Sequence, residues 1–202
     1  DGVLSKIDIP EEQKGLQLIT GTSADISQVK ELDDLAFGQH QGISEAELQE
    51  IIDNGFVILL KDPEGNLIGE AQLITKQTPG LKYQLADNEA YAYGTAIHPE
   101  IQGKGLGQIT GEAQRLLAKQ AGKETIVLTV RAENVASLRS RFKQGFQVTN
   151  FDPEYYGSAE EGGSRIIMKS SVERGQTPEK ELLKLIKSNS IATFNGQNFD
   201  EQ

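Results

Sequence analysis

Residues 97–108 read Ile97-His98-Pro99-Glu100-Ile101-Gln102-Gly103-Lys104-Gly105-Leu106-Gly107-Gln108, an apolar segment that meets a proline and runs into closely spaced glycines. Glycine lets a backbone turn tightly and approach a ligand. The stretch that follows, from about Gly105 to Ala121, has helical spacing, so unpaired N–H groups and the positive end of a helix point at the same turn. A phosphate or pyrophosphate suits that turn, with Lys104 adding a charge. A Gly-rich strand-to-helix connection is also a common structural device, so the neighbouring residues have to discriminate. The Walker pattern needs Ser or Thr after Gly-Lys, and here Gly105 follows Lys104. The dinucleotide pattern G-x-G-x-x-G fails in both registers, because Gln108 and Thr110 stand where its last glycine belongs. What remains is Gln102-x-x-Gly105-x-Gly107.

Upstream, Leu16, Leu18 and Ile19 suggest a short strand, after which Thr22 or Ser23 can cap a helix that puts Ile26, Val29, Leu32, Leu35 and Ala36 on one face and stops at Gly38. Ser44 with Glu47 three residues on has the form of a capping box, and Leu48, Ile51 and Ile52 supply the apolar stripe of a second helix ending at Asn54-Gly55. Strands at 56–60 and 67–75 flank Asp62-Pro63-Glu64-Gly65-Asn66, which has hairpin-turn chemistry, and a third strand is expected at 89–98. Downstream come a strand at 125–131, a helix at about 135–143 and closing strands at 146–150 and 164–168. The order β-α-α-β-β-β-α-β-α-β-β predicts an α+β fold with a mixed, mostly antiparallel sheet flanked by helices. Residues 1–15 are expected to form an N-terminal arm, 16–170 the domain and 171–202 a C-terminal extension. In that extension Thr177 and Pro178 can start a short helix with Leu182, Leu183 and Ile186 on its apolar side. Docking on the domain or a neighbouring subunit, and a frayed tail, are both open for it.

Composition narrows the chemistry. The 202 residues contain no cysteine and two histidines, which excludes a thiolate zinc site, a cysteine nucleophile and a histidine-rich metal site, so no metal is expected. A net charge of −10 argues against a nonspecific nucleic-acid binder and fits a cationic partner better. No apolar run approaches the length needed to span a bilayer and no leader core opens the chain, so no membrane partner and a cytoplasmic location are expected. The chain starts at Asp1 and its one methionine is Met168, so trimming or processing upstream is also expected.

Here the sequence resembles the GNAT acetyltransferase superfamily, whose coenzyme A loop reads Gln or Arg-x-x-Gly-x-Gly or Ala. The preceding Ala96-Ile97-His98-Pro99 is similar to the family's bulged fourth strand, and Asn134 to Arg139 with Gly145-Phe146 is similar to its second signature. The element order over residues 16–170 agrees as well. The resemblance implies that the backbone of Gln102, Gly103, Lys104, Gly105, Leu106, Gly107 and Gln108 cradles the pyrophosphate of acetyl-CoA. It implies that Ala96, Ile97 and His98 bond the pantetheine and the acetyl carbonyl, and that Asn134 and Ser137 border the thiol end. Asn134 also suits the N-cap of its helix. The implied reaction is acetyl transfer to an amine acceptor by direct attack in a ternary complex.

The sequence departs from the family at its usual catalytic groups. Arg141, beside Phe142, occupies the helix position where many members carry a tyrosine acid, and Tyr91 the strand position where some carry a glutamate base. Tyr155 and Tyr156 follow Phe146 at a spacing similar to the paired tyrosines of N-terminal protein acetyltransferases; Tyr91 and Glu70 are further candidates, Glu70 as a proton relay or else a solvated strand-edge residue. The rival reading is a noncatalytic acyl-CoA-binding or regulatory module, and a homodimer is left open.

Overall fold

A computed structural model describes residues 4, 7, 15–38, 42–158 and 163–173 of the chain. The expected N-terminal arm falls largely outside them, and the helix expected near 177–187 falls wholly outside them. Two compact units divide at Ile126/Val127.

The first unit opens with β1 (Gln17–Thr20), a single 3-10 turn over Ser23–Asp25, then α1 (Ile26–Phe37) and α2 (Glu45–Asn54). β2 (Gly55–Lys61), β3 (Leu67–Ile74) and β4 (Glu89–Ile97) follow, and α3 (Leu106–Gln120) completes it. Adjacent strands β1 to β4 pair antiparallel in sequence order. The capping box of α2 forms as its sequence dictates: Glu47 N–H donates to Ser44 Oγ at 3.2 Å and Ser44 N–H to Glu47 Oε2 at 3.0 Å. In the β2–β3 turn Asp62 N–H donates to the Asn66 carbonyl, Gly65 N–H to the Asp62 carbonyl and Asn66 N–H to Asp62 Oδ1, closing the hairpin.

The two faces of this sheet differ. Leu60 packs with Leu106 and Ile109 of α3. Its neighbour Leu59 points the other way, together with Glu70, its cross-strand partner on β3. That second face is where α1 lies on β3 and β4 and α2 on β2 and β3. The α1 face expected from its apolar residues needs one correction. Val29 and Leu32 are buried, but Leu35 is 55% exposed and Asp33 is 4% exposed. At roughly 100° per residue Leu35 lies about 120° round from Val29, whereas Asp33 and Ala36 lie within about 40° of it. The buried stripe therefore runs through an aspartate.

β5 (Thr125–Val130) leads into the second unit, which contains α4 (Val135–Lys143), β6 (Gln147–Asp152) and β7 (Arg165–Ser171). β6 and β7 pair antiparallel with one register irregularity between Val148 and Asn150. α4 starts at Asn134, whose side chain accepts from Ser137 N–H at 3.0 Å. Phe146 N–H donates to the Arg141 carbonyl at 3.0 Å, closing the helix over Gly145 at φ 85°. Among the described residues no helix is long and apolar enough to cross a membrane, and no group of three His, Cys, Asp or Glu side chains is arranged to hold a metal.

Candidate functional site

The loop after β4 is built to expose backbone. Pro99–Ile101 forms one 3-10 turn, and Gln102 Nε2 reaches back to the Ile97 carbonyl at 3.0 Å, tying the loop to the strand end. Gly103 and Gly105 sit at φ 80° and 81°, a region that side-chain-bearing residues rarely adopt. Gly105 is the N-cap of α3. The N–H groups of Leu106 and Gly107, in the first turn of α3, have no acceptor within the helix. A Cβ added at Gly103, Gly105 or Gly107 would meet nothing within 4 Å. Bare backbone thus borders open space at the positive end of a 15-residue helix, the environment a pyrophosphate needs.

The strand entering this loop is irregular, with a register shift opposite Gln72/Leu73: Gln72 pairs with Gly94 and Leu73 with Ala92, leaving Tyr93 as the extra residue. Gln114 of α3 covers the disturbance, donating from Nε2 to the Gln72 carbonyl at 2.8 Å and the Gly94 carbonyl at 3.3 Å. Beyond it the ladder is regular. His98 N–H donates to the Ile68 carbonyl at 2.9 Å, so by antiparallel alternation Ala96 also faces β3, while Ile97 and Thr95 turn their amides away. The Ile97 carbonyl, held by Gln102, agrees with that. Of Ala96, Ile97 and His98, expected together as pantetheine contacts, the amides of Ala96 and His98 face β3, while that of Ile97 turns away from it together with that of Thr95. The period of two along a strand was legible; which set faces the neighbouring strand was not.

The candidate catalytic side chains fall in contrasting environments. Tyr91 is buried, its ring 5.7 Å from Tyr83 and 6.2 Å from Tyr93 between centroids, so its position is that of a packing residue in an aromatic column. Tyr93 OH donates to Glu47 Oε1 at 3.3 Å. Glu70 is 0% exposed, which overturns the solvated strand-edge reading. Its Oε2 accepts from Gln72 Nε2 at 2.6 Å, while Oε1 has no hydrogen-bond partner among the described residues. Burial and then the charge of Asp33 push the Glu70 carboxyl well above its ordinary range, against the Ala96 amide and Gln72. Burial likewise raises Asp33, whose Oδ2 accepts from Ile43 N–H at 2.6 Å. For Glu47 burial acts upward, but hydrogen bonds from Ser44 and Tyr93 outweigh it and hold the carboxyl low.

In the second unit Tyr155 is 4% exposed and Tyr156 is 51% exposed, their rings edge to face at 4.7 Å. The Arg165 guanidinium lies 4.8 Å over the Tyr156 ring, and Tyr156 N–H donates to the Gly163 carbonyl at 2.9 Å. Arg141, at the position of the family's tyrosine acid, donates from Nη1 to Gln144 Oε1 at 2.9 Å. Burial lowers its pKa to about 10, which leaves it charged at neutral pH. Sequence reading placed Glu47 only in a helix cap and did not single out Asp33 or Gln72, the polar neighbours of Glu70. The one available signal was Asp33, a charge standing on the apolar stripe of a helix.

Residues 26–146 match the acetyltransferase (GNAT) family, and the chain belongs to that family of acetyl-transferring enzymes. It is 30% identical over 103 residues to an L-methionine sulfoximine/L-methionine sulfone acetyltransferase of Salmonella typhimurium, a match covering 50% of this chain and 56% of that relative. The match thus spans little more than half of the relative's length. Its fold is that of the ribosomal-protein-S18-alanine N-acetyltransferase of Escherichia coli, at TM-score 0.63 and 20% identity over 81% of this chain and 98% of that one. A Salmonella typhimurium protein solved with its cofactor acetyl-CoA aligns at TM-score 0.59 and 19% identity, over 82% of this chain and 99% of that one.

Proposed function

We propose that the chain uses acetyl-CoA to acetylate an amine by direct attack in a ternary complex. The observation that carries this reading is the loop at the start of α3, where left-handed glycines leave backbone amides beside open space. In this reading the amides of residues 103–107 hold the pyrophosphate. The amides of Thr95 and Ile97, turned away from β3, hold the pantetheine and polarise the acetyl carbonyl, whose oxygen gains charge as the amine attacks. The carbon–sulfur bond then breaks and the thiolate takes a proton. The attacking amine must first lose one: at a lysine-like pKa near 10.4, roughly one molecule in a few thousand is neutral at pH 7. Asn134, Ser137 and the Tyr155-Tyr156 pair are assigned to this reading by family resemblance. A cytoplasmic location is part of the same proposal.

The test is acetyl-CoA consumption with L-methionine sulfone, L-methionine sulfoximine, spermidine and an alanine-led peptide, alongside calorimetric binding of CoA. Turnover of any of the four supports the reading, and failure to bind CoA sinks it. Arg141 at the position of the family's tyrosine acid favours a second reading, a noncatalytic acyl-CoA-binding module; tight CoA binding without turnover on a wide amine panel is its signature. Tyr156→Phe then asks whether that hydroxyl protonates the thiolate, and an unchanged rate with a confirmed acceptor removes it.

A further inference from the structure

We infer that Gln114 of α3 is a positioning residue for the acetyl donor: its side-chain amide pins the register of β4 on β3 and so decides which strand amides turn outward. The inference rests on the acetyl-CoA reading above and adds to it the residue that aligns the strand with the loop.

Three observations converge. First, Gln114 is polar where an apolar residue belongs. It lies on the buried stripe of α3 with Leu106, Ile109, Ala113 and Leu117, on a helix laid against β2, β3 and β4, and is 2% exposed. A buried amide is costly unless it is bonded. Its Nε2 carries two hydrogens and reaches two carbonyls, that of Gln72 at 2.8 Å and that of Gly94 at 3.3 Å. Second, Gln72 and Gly94 are cross-strand partners at the edge of the irregularity, where Tyr93 is the extra residue. One donor group thus grips both strands at the pair from which the register of everything beyond it is counted. Third, the opposite face of the sheet is shaped to the same pair. The Gln72 side chain, itself buried and donating to Glu70 Oε2 at 2.6 Å, lies against Gly94, where an added Cβ would run into Gln72 Oε1.

Register matters because a slip of one residue exchanges the two sets of amides. With Gln72 opposite Gly94, the amides of Ala96 and His98 face β3 and those of Thr95 and Ile97 turn away. Were Tyr93 drawn into the ladder opposite Gln72, Thr95 would stand opposite Glu70 and Ile97 opposite Ile68, and β3 would take up their amides. The clamp also shares a helix with the loop. Leu106 and Gln114 are about 12 Å apart along the axis of α3, so the helix whose first turn bears the loop amides holds the strand amides at a fixed spacing from them.

The experiment compares the wild-type chain with Gln114→Met, which keeps the length of the side chain and loses both donors. Register is read without ligand, from the NMR contact between the Hα protons of Ala71 and Thr95, which stand opposite each other only in the native register. Grip on the donor is read by calorimetric titration with CoA and with ADP, which shares the diphosphate and has no pantetheine. The variant should lose or weaken the Ala71–Thr95 contact and bind CoA at least about tenfold more weakly, with ADP affinity within about twofold of wild type. An unchanged contact or an unchanged CoA affinity overturns the proposal. So does an equal loss of CoA and ADP, the mark of a helix that has merely been loosened. If the variant does not fold, the wild-type Gln114 Nε2 protons decide: slow exchange with solvent supports the clamp, and exchange at the rate of a solvated glutamine overturns it. A wild type that binds no CoA removes the reading of the previous subsection, while the register contact and the amide exchange still test the clamp by themselves.

Discussion

The loop at residues 102–108 and the carboxyl pair Glu70/Asp33 belong to the same unit and are opposite in construction. The loop has little side chain and much backbone, stands beside open space, and takes its charge preference from a helix end. The carboxyl pair is nearly all side chain, closed from solvent, and takes its character from burial and mutual repulsion. A site made of backbone tolerates exposure because its groups are fixed by local geometry. A buried carboxyl pair needs the whole layer above it to exclude water, and burial makes it hold a proton more tightly than an exposed one does.

The largest expected effect breaks the loop. Gly105→Val places a β-branched residue at φ 81° and fills the space beside the amides. It should abolish the stabilisation CoA gives wild type, about 2.7 kcal/mol at a ligand concentration of 100 Kd. Thermal denaturation with and without CoA measures this, and retained stabilisation would remove the loop from the cofactor site.

The carboxyl side predicts a pH dependence instead. Glu70 has a folded pKa raised above its unfolded value, so the folded state holds the proton more tightly. Its contribution to stability is present at pH below the ordinary glutamate range and is lost as pH rises through the raised value. Denaturant unfolding across that span should show wild type weakening and Glu70→Gln staying flatter, with the variant gaining about 1–3 kcal/mol on wild type at pH 8. Parallel curves would mean that Glu70 is not held in the protonated form.

Smaller effects sharpen the contrast between local and tertiary determinants. Asn134→Ala removes the cap of α4 and should cost about 1 kcal/mol, read as a shift in denaturation midpoint with unchanged slope. Leu35→Ser should cost no more than about 0.5 kcal/mol, because the side chain is exposed despite its place in the apolar periodicity. A loss as large as a core truncation would restore Leu35 to the buried stripe.

The legible parts of the molecule share a property. The Ser44/Glu47 box, the Asp62–Asn66 turn, the Asn134 cap and Gly103 and Gly105 all act within a few residues of themselves, so residue type and spacing predict their geometry. Glu70 alternates with apolar neighbours along β3 and therefore reads like a solvent-facing strand residue. Only the packing of α1 and α2 on that face makes it buried. Asp33 was visible as a misplaced charge, but its consequence depended on what stood opposite. The same division applies to Ala96, Ile97 and His98, where alternation was readable and the choice of outward residues awaited the pairing with β3.

By itself, then, the sequence determined the α+β element order, the phosphate-suited turn and the family resemblance, because helix caps, turns and strand periods are short-range physics. Tertiary structure decided which strand amides turn outward and which tyrosines are packed. It also decided that two carboxylates far apart in the chain share one buried face. Burial and Coulomb repulsion depend on neighbours brought together by folding, and no local pattern encodes them.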